Sequence, residues 1–218
     1  MARYGVLWRG PIRPSLEDVD RRIKEHRDNL LSMGHEVDAY FITWKHLHSH
    51  LLLESNPWLN LIILNEPSKE LALSRLTTLC RVVKIPGTRW KPENNYKQFW
   101  STRVGLEIIA DTTIPYDGVI LSRPDLDIKI DDIGQWMKPG VYTMPSVCVY
   151  KGMNDQFAIS DLPTALKVWD TKDMARVSQI YGSSENPEET IYKLATRNGV
   201  KLDFKQPLLY ALNGEKFI

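Results

Sequence analysis

Two aspartates separated by one residue, Asp125 and Asp127, are the first group in this sequence that could do chemistry. They follow a short apolar run and an Arg-Pro pair in the segment YDGVILSRPDLDIKI, residues 116–130. In extended backbone, residues i and i+2 point to the same side, so both carboxylates could bind one cation. Mg²⁺ and Mn²⁺ take oxygen ligands of this kind and often share them with substrate phosphates. The pattern predicts a metal–diphosphate site, with a solvated acidic turn as the alternative.

The residues before the pair predict where it lies in a fold. Val119–Leu121 have the pattern of a short buried strand. Pro124 cannot donate to a sheet ladder and disfavours helix at Arg123, so we expect the strand to end there. In an open α/β sheet, ligands bind at the carboxyl ends of the strands. A second DxD, Asp18–Asp20, falls in an expected helix, where residues i and i+2 do not share a face.

The strand that leads into RPDLDI resembles the DxD element of GT-A glycosyltransferases, which transfer a sugar from a nucleotide-diphosphate carrier. The resemblance includes NNYKQFWSTRVGLEII and MNDQFAISDLPTALKVW, covers about residues 94–170, and extends loosely to the first strand and loop. Small GT-A domains are the most similar, among them the capsid-glycosylating domains of chlorella viruses. The resemblance implies a GT-A-like fold and a nucleotide-sugar donor.

The resemblance also implies roles for the two aspartates. Asp127 would bind Mn²⁺ or Mg²⁺ directly, and Asp125 would bind the metal or reach the donor ribose or sugar. Many GT-A enzymes take a third metal ligand, often His, from the C-terminal part of the chain. All five His residues of this chain lie within the first 50 positions. Water or donor oxygens would therefore have to complete the coordination shell.

Asp155, in the segment Asn154–Phe157, is the candidate catalytic base. An inverting transfer needs a carboxylate to take the proton of the acceptor hydroxyl, an effect worth about 10²–10⁴-fold in rate. A retaining transfer needs no such base, so this assignment depends on the stereochemistry. A cap or turn residue is the alternative interpretation of Asp155. Asp161 is the competing base, although we expect it to cap the next helix.

The remaining candidates would bind the donor. Arginines that follow the first strand suit phosphate, because the guanidinium fork matches phosphate oxygens. A Trp at the end of the second strand could stack on the base or ribose, and a Gln on the long helix would border the donor sugar. Surface charge, a core Trp, an exposed polar face and a structural ion pair are the alternatives. The donor-binding candidates are Arg9, Arg13, Thr43, Trp44, Gln98, Arg123 and Asp125.

Three histidines, His46, His48 and His50, form an HxHxH pattern. On a strand all three would face one way, but no carboxylate or Cys pattern follows to complete a zinc site. We therefore expect these three histidines to be surface residues near the nucleotide loop.

Apolar periodicity predicts the elements that would position these residues. A helix begins after Ser15 and ends at Gly34, and another long helix covers Asn95–Asp111. Strand and helix alternate through the first half and become irregular afterwards. The fold class is therefore α/β: a single GT-A-like domain, with a Rossmann-like nucleotide-binding half (about residues 1–130) and an acceptor half (about 131–218), around a mixed central sheet flanked by helices. The other expected strands are Tyr4–Trp8, Val37–Thr43, Leu59–Leu64, Val141–Met144, Lys201–Phe204 and Leu208–Leu212, and the other expected helices are Lys69–Cys80, 161–169 and one from Asn186.

Length and composition bound the function. The chain has 218 residues, 43% of them hydrophobic, and a formal charge of +1. Bulk charge gives no reason to expect binding to nucleic acid or a membrane surface. No apolar run approaches the roughly 18 residues of a membrane span, and the N-terminus lacks the apolar core of a signal peptide. Cys80 and Cys148 form no metal or redox spacing, so we expect a cytoplasmic protein, in the host cytoplasm if it is viral. The C-terminal run has no polar tail, as in a domain of a longer protein.

The sequence as a whole predicts a metal-dependent, inverting glycosyltransferase. Its donor would be a nucleotide-diphosphate sugar, UDP-linked by preference, carrying a hexose or a deoxyhexose such as rhamnose. Its acceptor would be a glycan or glycoprotein, and the chlorella-virus resemblance implies a capsid protein. One rival is a sugar-1-phosphate nucleotidyltransferase, which would want a Gly-rich loop where WRGPIRP has a single glycine. A second rival is a non-catalytic nucleotide-sugar or glycan-binding module.

Overall fold

A computed structural model describes residues 1–13, 15–46, 49–72, 92–149, 153–170, 187–212 and 215–217. The strands are β1 (Arg3–Arg9), β2 (Glu36–Trp44), β3 (Leu59–Leu64), β4 (Gly118–Ser122), β5 (Leu126–Lys129), β6 (Val141–Pro145), β7 (Phe157–Ser160), β8 (Lys201–Lys205), β9 (Leu209–Leu212) and β10 (Glu215–Lys216). The helices are α1 (Leu16–Ser32), α2 (His50–Ser55), α3 (Pro92–Asp111), α4 (Ile133–Trp136), α5 (Leu162–Val168) and α6 (Pro187–Arg197). None of these helices is long and apolar enough to cross a bilayer.

A seven-stranded mixed sheet, in the order β3-β2-β1-β4-β7-β6-β8, forms the centre of the fold. Strands β1 to β4 are parallel to one another, whereas β7 runs antiparallel to β4, with Phe157 opposite Ser122. The start of β7 therefore lies at the same edge as the carboxyl ends of β1 and β4. A second, three-stranded sheet has the strand order β10-β9-β5. The expected α/β fold with a mixed central sheet flanked by helices is confirmed.

The central strands are buried because helices cover both faces of the sheet. Leu7 of β1 packs in a cluster with apolar residues of α3, α5 and α6. Its neighbours Val6 and Trp8 point the other way and pack with Val19 and Ile23 of α1. Alternate residues of a strand face opposite sides, so an all-apolar strand such as β1 needs cover on both. This layering fixes the ends of β1 and β2 against α3.

A close contact between α3 and β1 depends on Gly105. A Cβ atom at this position would lie 2.6 Å from Cδ2 of the buried Leu7. We expect Gly105→Val to destabilise the protein by about 1–3 kcal/mol, because overpacking forces a shift of the helix or the strand. A thermal melt measures the effect, with Glu107→Val on the exposed side of the same helix as the control. An unchanged melting temperature for Gly105→Val would contradict the close packing.

The expected elements that the structure describes are present, with ends shifted by a few residues. Several elements were not predicted: α2, α4, β5, β7 and β10. Residues 69–72 begin the expected helix 69–80, whose remainder lies outside the described residues. Asn186 also lies outside them, and α6 is described from Pro187. The division into two halves stays a prediction.

Candidate functional site

A cavity of about 350 Å³ opens where β1 and β2 end and α3 passes over them. Binding pockets for small molecules begin at roughly this size. Six of the donor-binding candidates line it: Arg9, Arg13, Thr43, Trp44, Gln98 and Arg123. The other lining residues are Gly10, Pro11, Ile12, Lys45, His46, Glu66, Asn94, Lys97 and Ser101. The structure thus brings together residues that are far apart in the sequence, although their roles stay predictions.

Arg9 is the most unusual side chain of the cavity, because it is only 3% exposed. Strand β1 ends there, as Gly10 with a φ of +130° turns the chain away from the sheet. One guanidinium nitrogen of Arg9 donates to the backbone oxygen of Asp155, and the group lies 4.8 Å from the ring centroid of Trp169. Its Nε has no hydrogen-bond partner among the described residues.

Burial without a bonded carboxylate has a consequence for Arg9. Burial lowers the pKa of its guanidinium, and the nearby charge of Asp155 only partly opposes this effect. A buried charge is costly unless it is paired and hydrogen-bonded. The Oγ1 atom of Thr43, also buried in the cavity lining, likewise has no partner among the described residues. The wall of the cavity therefore contains two buried polar atoms whose hydrogen-bonding capacity is unused among the described residues.

Asp125 is buried and held by two arginines. Arg123 forms a two-pronged contact with its carboxylate, with Nε to Oδ1 at 2.8 Å and Nη2 to Oδ2 at 2.6 Å. The Nε of Arg13 lies 3.3 Å from Oδ2. Burial alone would raise the pKa of Asp125, but the hydrogen bonds and charge of Arg123, with that of Arg13, hold it below the usual value. Asp125 therefore stays ionised and fixes two cations at the cavity.

Asp127 contacts different arginines, which belong to helix α1. Its Oδ1 accepts a hydrogen bond from Nε of the buried Arg22 at 3.0 Å, and Arg21 lies 3.8 Å away. The expectation of two aspartates on one side assumed extended backbone. Asp125 instead lies in a turn, closed by a 3.3 Å hydrogen bond from the Leu126 amide to the Arg123 carbonyl. The structure does not bring the two carboxylates together on a shared partner.

The contacts of Asp125 and Asp127 decide whether these carboxylates can bind the expected divalent ion. The ion pairs of the Asp125 and Asp127 carboxylates are all formed with guanidinium groups of the described residues. Within the described ranges, no group of three or more His, Cys, Asp or Glu side chains could hold a metal ion. His46 borders the cavity and His50 begins α2, whereas His48 lies outside the described residues. In this arrangement the side chains do not fit a metal site.

Asp155 lies in the bend directly before β7 and contacts Gln98, which lines the cavity. It is 5% exposed, and its Oδ2 accepts a hydrogen bond of 2.6 Å from Nε2 of Gln98. The turn is shaped by Asn154, whose Oδ1 accepts from the backbone amides of Gln156 and Phe157 at 2.8 and 3.1 Å. The amide of Asn154 also donates to the Tyr210 hydroxyl at 2.8 Å. Asp155 thus has a fixed position beside a residue that lines the cavity.

A stack of aromatic rings reaches the cavity through Trp44. Trp44, which ends β2, stacks on Trp100 of α3 with ring centroids 5.9 Å apart and an angle of 19°. Tyr96 also stacks on Trp100, with ring centroids 6.5 Å apart. Trp44 is half-buried and lines the cavity. An aromatic face of this kind can stack on a nucleobase or a sugar.

Glu188 is a functional candidate that sequence reasoning missed. It lies in the first turn of α6 and is only 6% exposed. Burial, followed by the nearby negative charge of Asp155, raises the pKa of Glu188 from 4.5 to about 7, while Arg123 opposes the shift. The sequence shows only an acidic residue at a helix start, where it is normally solvated. No sequence signal reveals its proximity to Asp155.

The shifted pKa of Glu188 predicts a pH-dependent stability. Because the folded pKa is raised, this carboxyl stabilises the fold fully below about pH 4.5, and the contribution is lost as the pH rises through about 7. We expect Glu188→Gln to raise the melting temperature at pH 8 by about 2–4 °C and not at pH 4.5. Melts across that range measure it. Glu189→Gln, adjacent and paired with Lys193 at 2.8 Å, is the matched control, and parallel curves for Glu188→Gln and the unchanged protein would contradict the shift.

Comparison with known proteins identifies the fold of the chain. No family model matches the chain, and no curated protein matches it in sequence. The apo crystal structure of mouse xyloside xylosyltransferase 1 matches with a TM-score of 0.51 at 9% identity, over 93% of this chain and 85% of that chain. A mutant of Drosophila β-1,4-galactosyltransferase 7, in complex with manganese, UDP-Gal and xylobiose, has a TM-score of 0.49 at 10% identity, over 99% of this chain and 69% of that chain. The chain has the fold of GT-A glycosyltransferases.

Proposed function

We propose that this protein is a glycosyltransferase that moves a sugar from a nucleotide-diphosphate donor, UDP-linked by preference, to a hydroxyl group of a glycan or glycoprotein. The observation that carries the proposal is Arg9, a buried guanidinium on a cavity wall whose Nε has no partner among the described residues. A phosphate in the cavity would place an opposite charge beside this buried guanidinium and so stabilise it. The cavity size and its position at the strand ends suit a nucleotide.

The other cavity residues support the same ligand. Arg13 and Arg123 extend the cationic surface, and Trp44 offers a ring on which the base can stack. Gln98 bridges the cavity and Asp155. Asp155 would take the proton of the acceptor hydroxyl as that oxygen bonds to the anomeric carbon and the nucleoside diphosphate leaves. The fold that the chain shares with glycosyltransferases supports this reaction.

The finer parts of the proposal rest on the sequence. They are inversion at the anomeric carbon, transfer of a hexose or a deoxyhexose such as rhamnose, a viral capsid protein as acceptor, and a cytoplasmic location. The Mn²⁺ or Mg²⁺ ion at Asp127 and Asp125 also stays a prediction from sequence. The proposed reaction has no step on this metal ion, because the carboxylates of Asp125 and Asp127 both contact arginines.

A donor screen tests the proposal. Melting temperatures are measured with UDP, GDP and a panel of UDP- and GDP-sugars, with and without Mn²⁺, because a ligand that binds the folded state raises the melting temperature. Hydrolysis of each sugar that stabilises the protein is then measured. We expect stabilisation by one nucleotide series and slow hydrolysis of one donor. Stabilisation without turnover would favour a binding module, and release of pyrophosphate from a nucleoside triphosphate and a sugar-1-phosphate would favour a nucleotidyltransferase.

A further inference from the structure

The ion pair between Asp127 and Arg22 is part of the packing of α1. Arg22 is 7% exposed, and its Nε contacts Oδ1 of Asp127 at 3.0 Å. Its Nη1 has no hydrogen-bond partner among the described residues. Moving Asp127 onto a metal ion would leave the buried Arg22 without this carboxylate, and breaking a buried pair in this way is strongly destabilising. The ion pair of Asp127 with Arg22 therefore holds α1 against β5.

Asp125 contacts a different set of arginines, those of the cavity. It is 1% exposed and receives contacts from Arg123 at 2.8 and 2.6 Å and from Arg13 at 3.3 Å. Two guanidinium groups thus converge on one buried carboxylate. This geometry fixes the direction in which the remaining N–H groups of Arg123 and Arg13 point, and it makes Asp125 a positioning residue.

The charge of the cavity has the opposite sign to that of a metal-binding carboxylate cluster. Five cationic residues line it: Arg9, Arg13, Lys45, Lys97 and Arg123. Among the described lining residues, Glu66 is the acidic one, and it contacts Lys97 at 2.6 Å. Arginine forks bind phosphate oxygens in a bidentate manner and stay charged at every relevant pH. The cavity can therefore neutralise a diphosphate with protein side chains.

We infer that Arg9, together with Arg13 and Arg123, which Asp125 aligns, holds the diphosphate of the donor in place of a divalent ion. This inference rests on the proposed function. As the acceptor oxygen bonds to the anomeric carbon, the bond from that carbon to the diphosphate oxygen breaks and its electron pair stays on the diphosphate. The three guanidinium groups stabilise the charge that develops there. The proton of the acceptor passes to the base. This assignment replaces the metal that the sequence predicts.

Binding of UDP and GDP to the unchanged protein tests the inference without any assay of activity. Calorimetric titrations are run in EDTA and in Mn²⁺, and the electron paramagnetic resonance signal of free Mn²⁺ is recorded with protein and nucleotide. We expect dissociation constants that agree within about twofold and a free Mn²⁺ signal equal to that of Mn²⁺ with the nucleotide alone. Affinity more than about tenfold higher with Mn²⁺, or a further loss of the free Mn²⁺ signal when protein is added, would overturn the inference and leave the proposed function intact.

A variant adds an independent readout. Arg13 is about half exposed, so Arg13→Gln should fold, and we expect it to weaken UDP binding in EDTA by about tenfold. Arg3→Gln makes the same change at the opposite end of β1, where Arg3 contacts Asp38 at 2.6 Å, and serves as the matched control. Equal affinity of Arg13→Gln and the unchanged protein would count against the inference. Absence of UDP and GDP binding in both buffers would remove the inference together with the proposed function.

Discussion

Arg9→Met is expected to weaken UDP binding by on the order of 100-fold, because it removes a buried charge that a phosphate would pair. The same change should leave the melting temperature of the ligand-free protein within about 3 °C or raise it. Methionine loses the cation–π contact with Trp169 but can still pack against the ring, and a buried guanidinium that lacks a bonded carboxylate no longer has to be accommodated. Weaker binding without a large loss of stability is the signature of a residue kept for its ligand.

The control for this experiment is Arg27→Met. Arg27 lies 4.3 Å from the ring centroid of Trp58 and is not part of the cavity lining. The substitution therefore removes the same charge and the same kind of ring contact. We expect UDP affinity to be unchanged. If Arg9→Met bound UDP as tightly as the unchanged protein, the proposed function would lose the observation on which it depends.

Asp155→Asn should lower kcat by about 10²–10⁴-fold, the usual contribution of a general base. The affinity for UDP should stay near that of the unchanged protein. Asparagine keeps an oxygen that can accept the hydrogen bond from Gln98, and the backbone carbonyl that Arg9 contacts is untouched. Turnover with the best donor and nucleotide titration separate the two effects. The anomeric configuration of the product, read by NMR, shows whether the transfer inverts.

Asp161→Asn is the matched control for that substitution. Asp161 accepts hydrogen bonds from the backbone amides of Thr164 at 2.7 Å and Gly140 at 2.5 Å, and so caps α5. Asparagine caps helices as well as aspartate does, so we expect normal turnover. A fully active Asp155→Asn would show that Asp155 is not the base. Glu188 would then be the next carboxyl to change.

Sequence periodicity could predict most of the fold and the position of the site. Strands such as β1 and β4 are continuous apolar runs, and the end of β4 follows from Pro124. The rule that ligands bind at strand ends then predicts that Arg9 and Trp44 lie near each other. The short elements β5, β7 and α4 were missed, because four residues carry too little periodicity to identify a strand or a helix.

Side-chain partners could not be predicted in the same way. The pairing of Asp127 with Arg22 links residues 105 positions apart and depends on how α1 packs beside β5. The spacing of the two aspartates fitted both a cation site and an acidic turn, and it gave no sign that each carboxylate would pair with arginines. Glu188 owes its raised pKa first to burial and then to the charge of Asp155, which comes from a distant turn. Such contacts arise from tertiary packing, whereas spacing reports only local backbone.

Because β7 runs in the opposite direction, the residues of the site come from two different kinds of chain segment. The arginines and Trp44 follow parallel strands, whereas Asp155 precedes a strand of opposite direction and is fixed by Asn154. The part of the connection between β6 and β7 that lies before Asn154 can therefore change in length or composition without moving the ends of β1 and β2, as long as Asp155 keeps its contacts with Arg9 and Gln98. Under the proposed function, relatives with this topology would vary the acceptor through that part of the connection while the donor-binding residues stay in place.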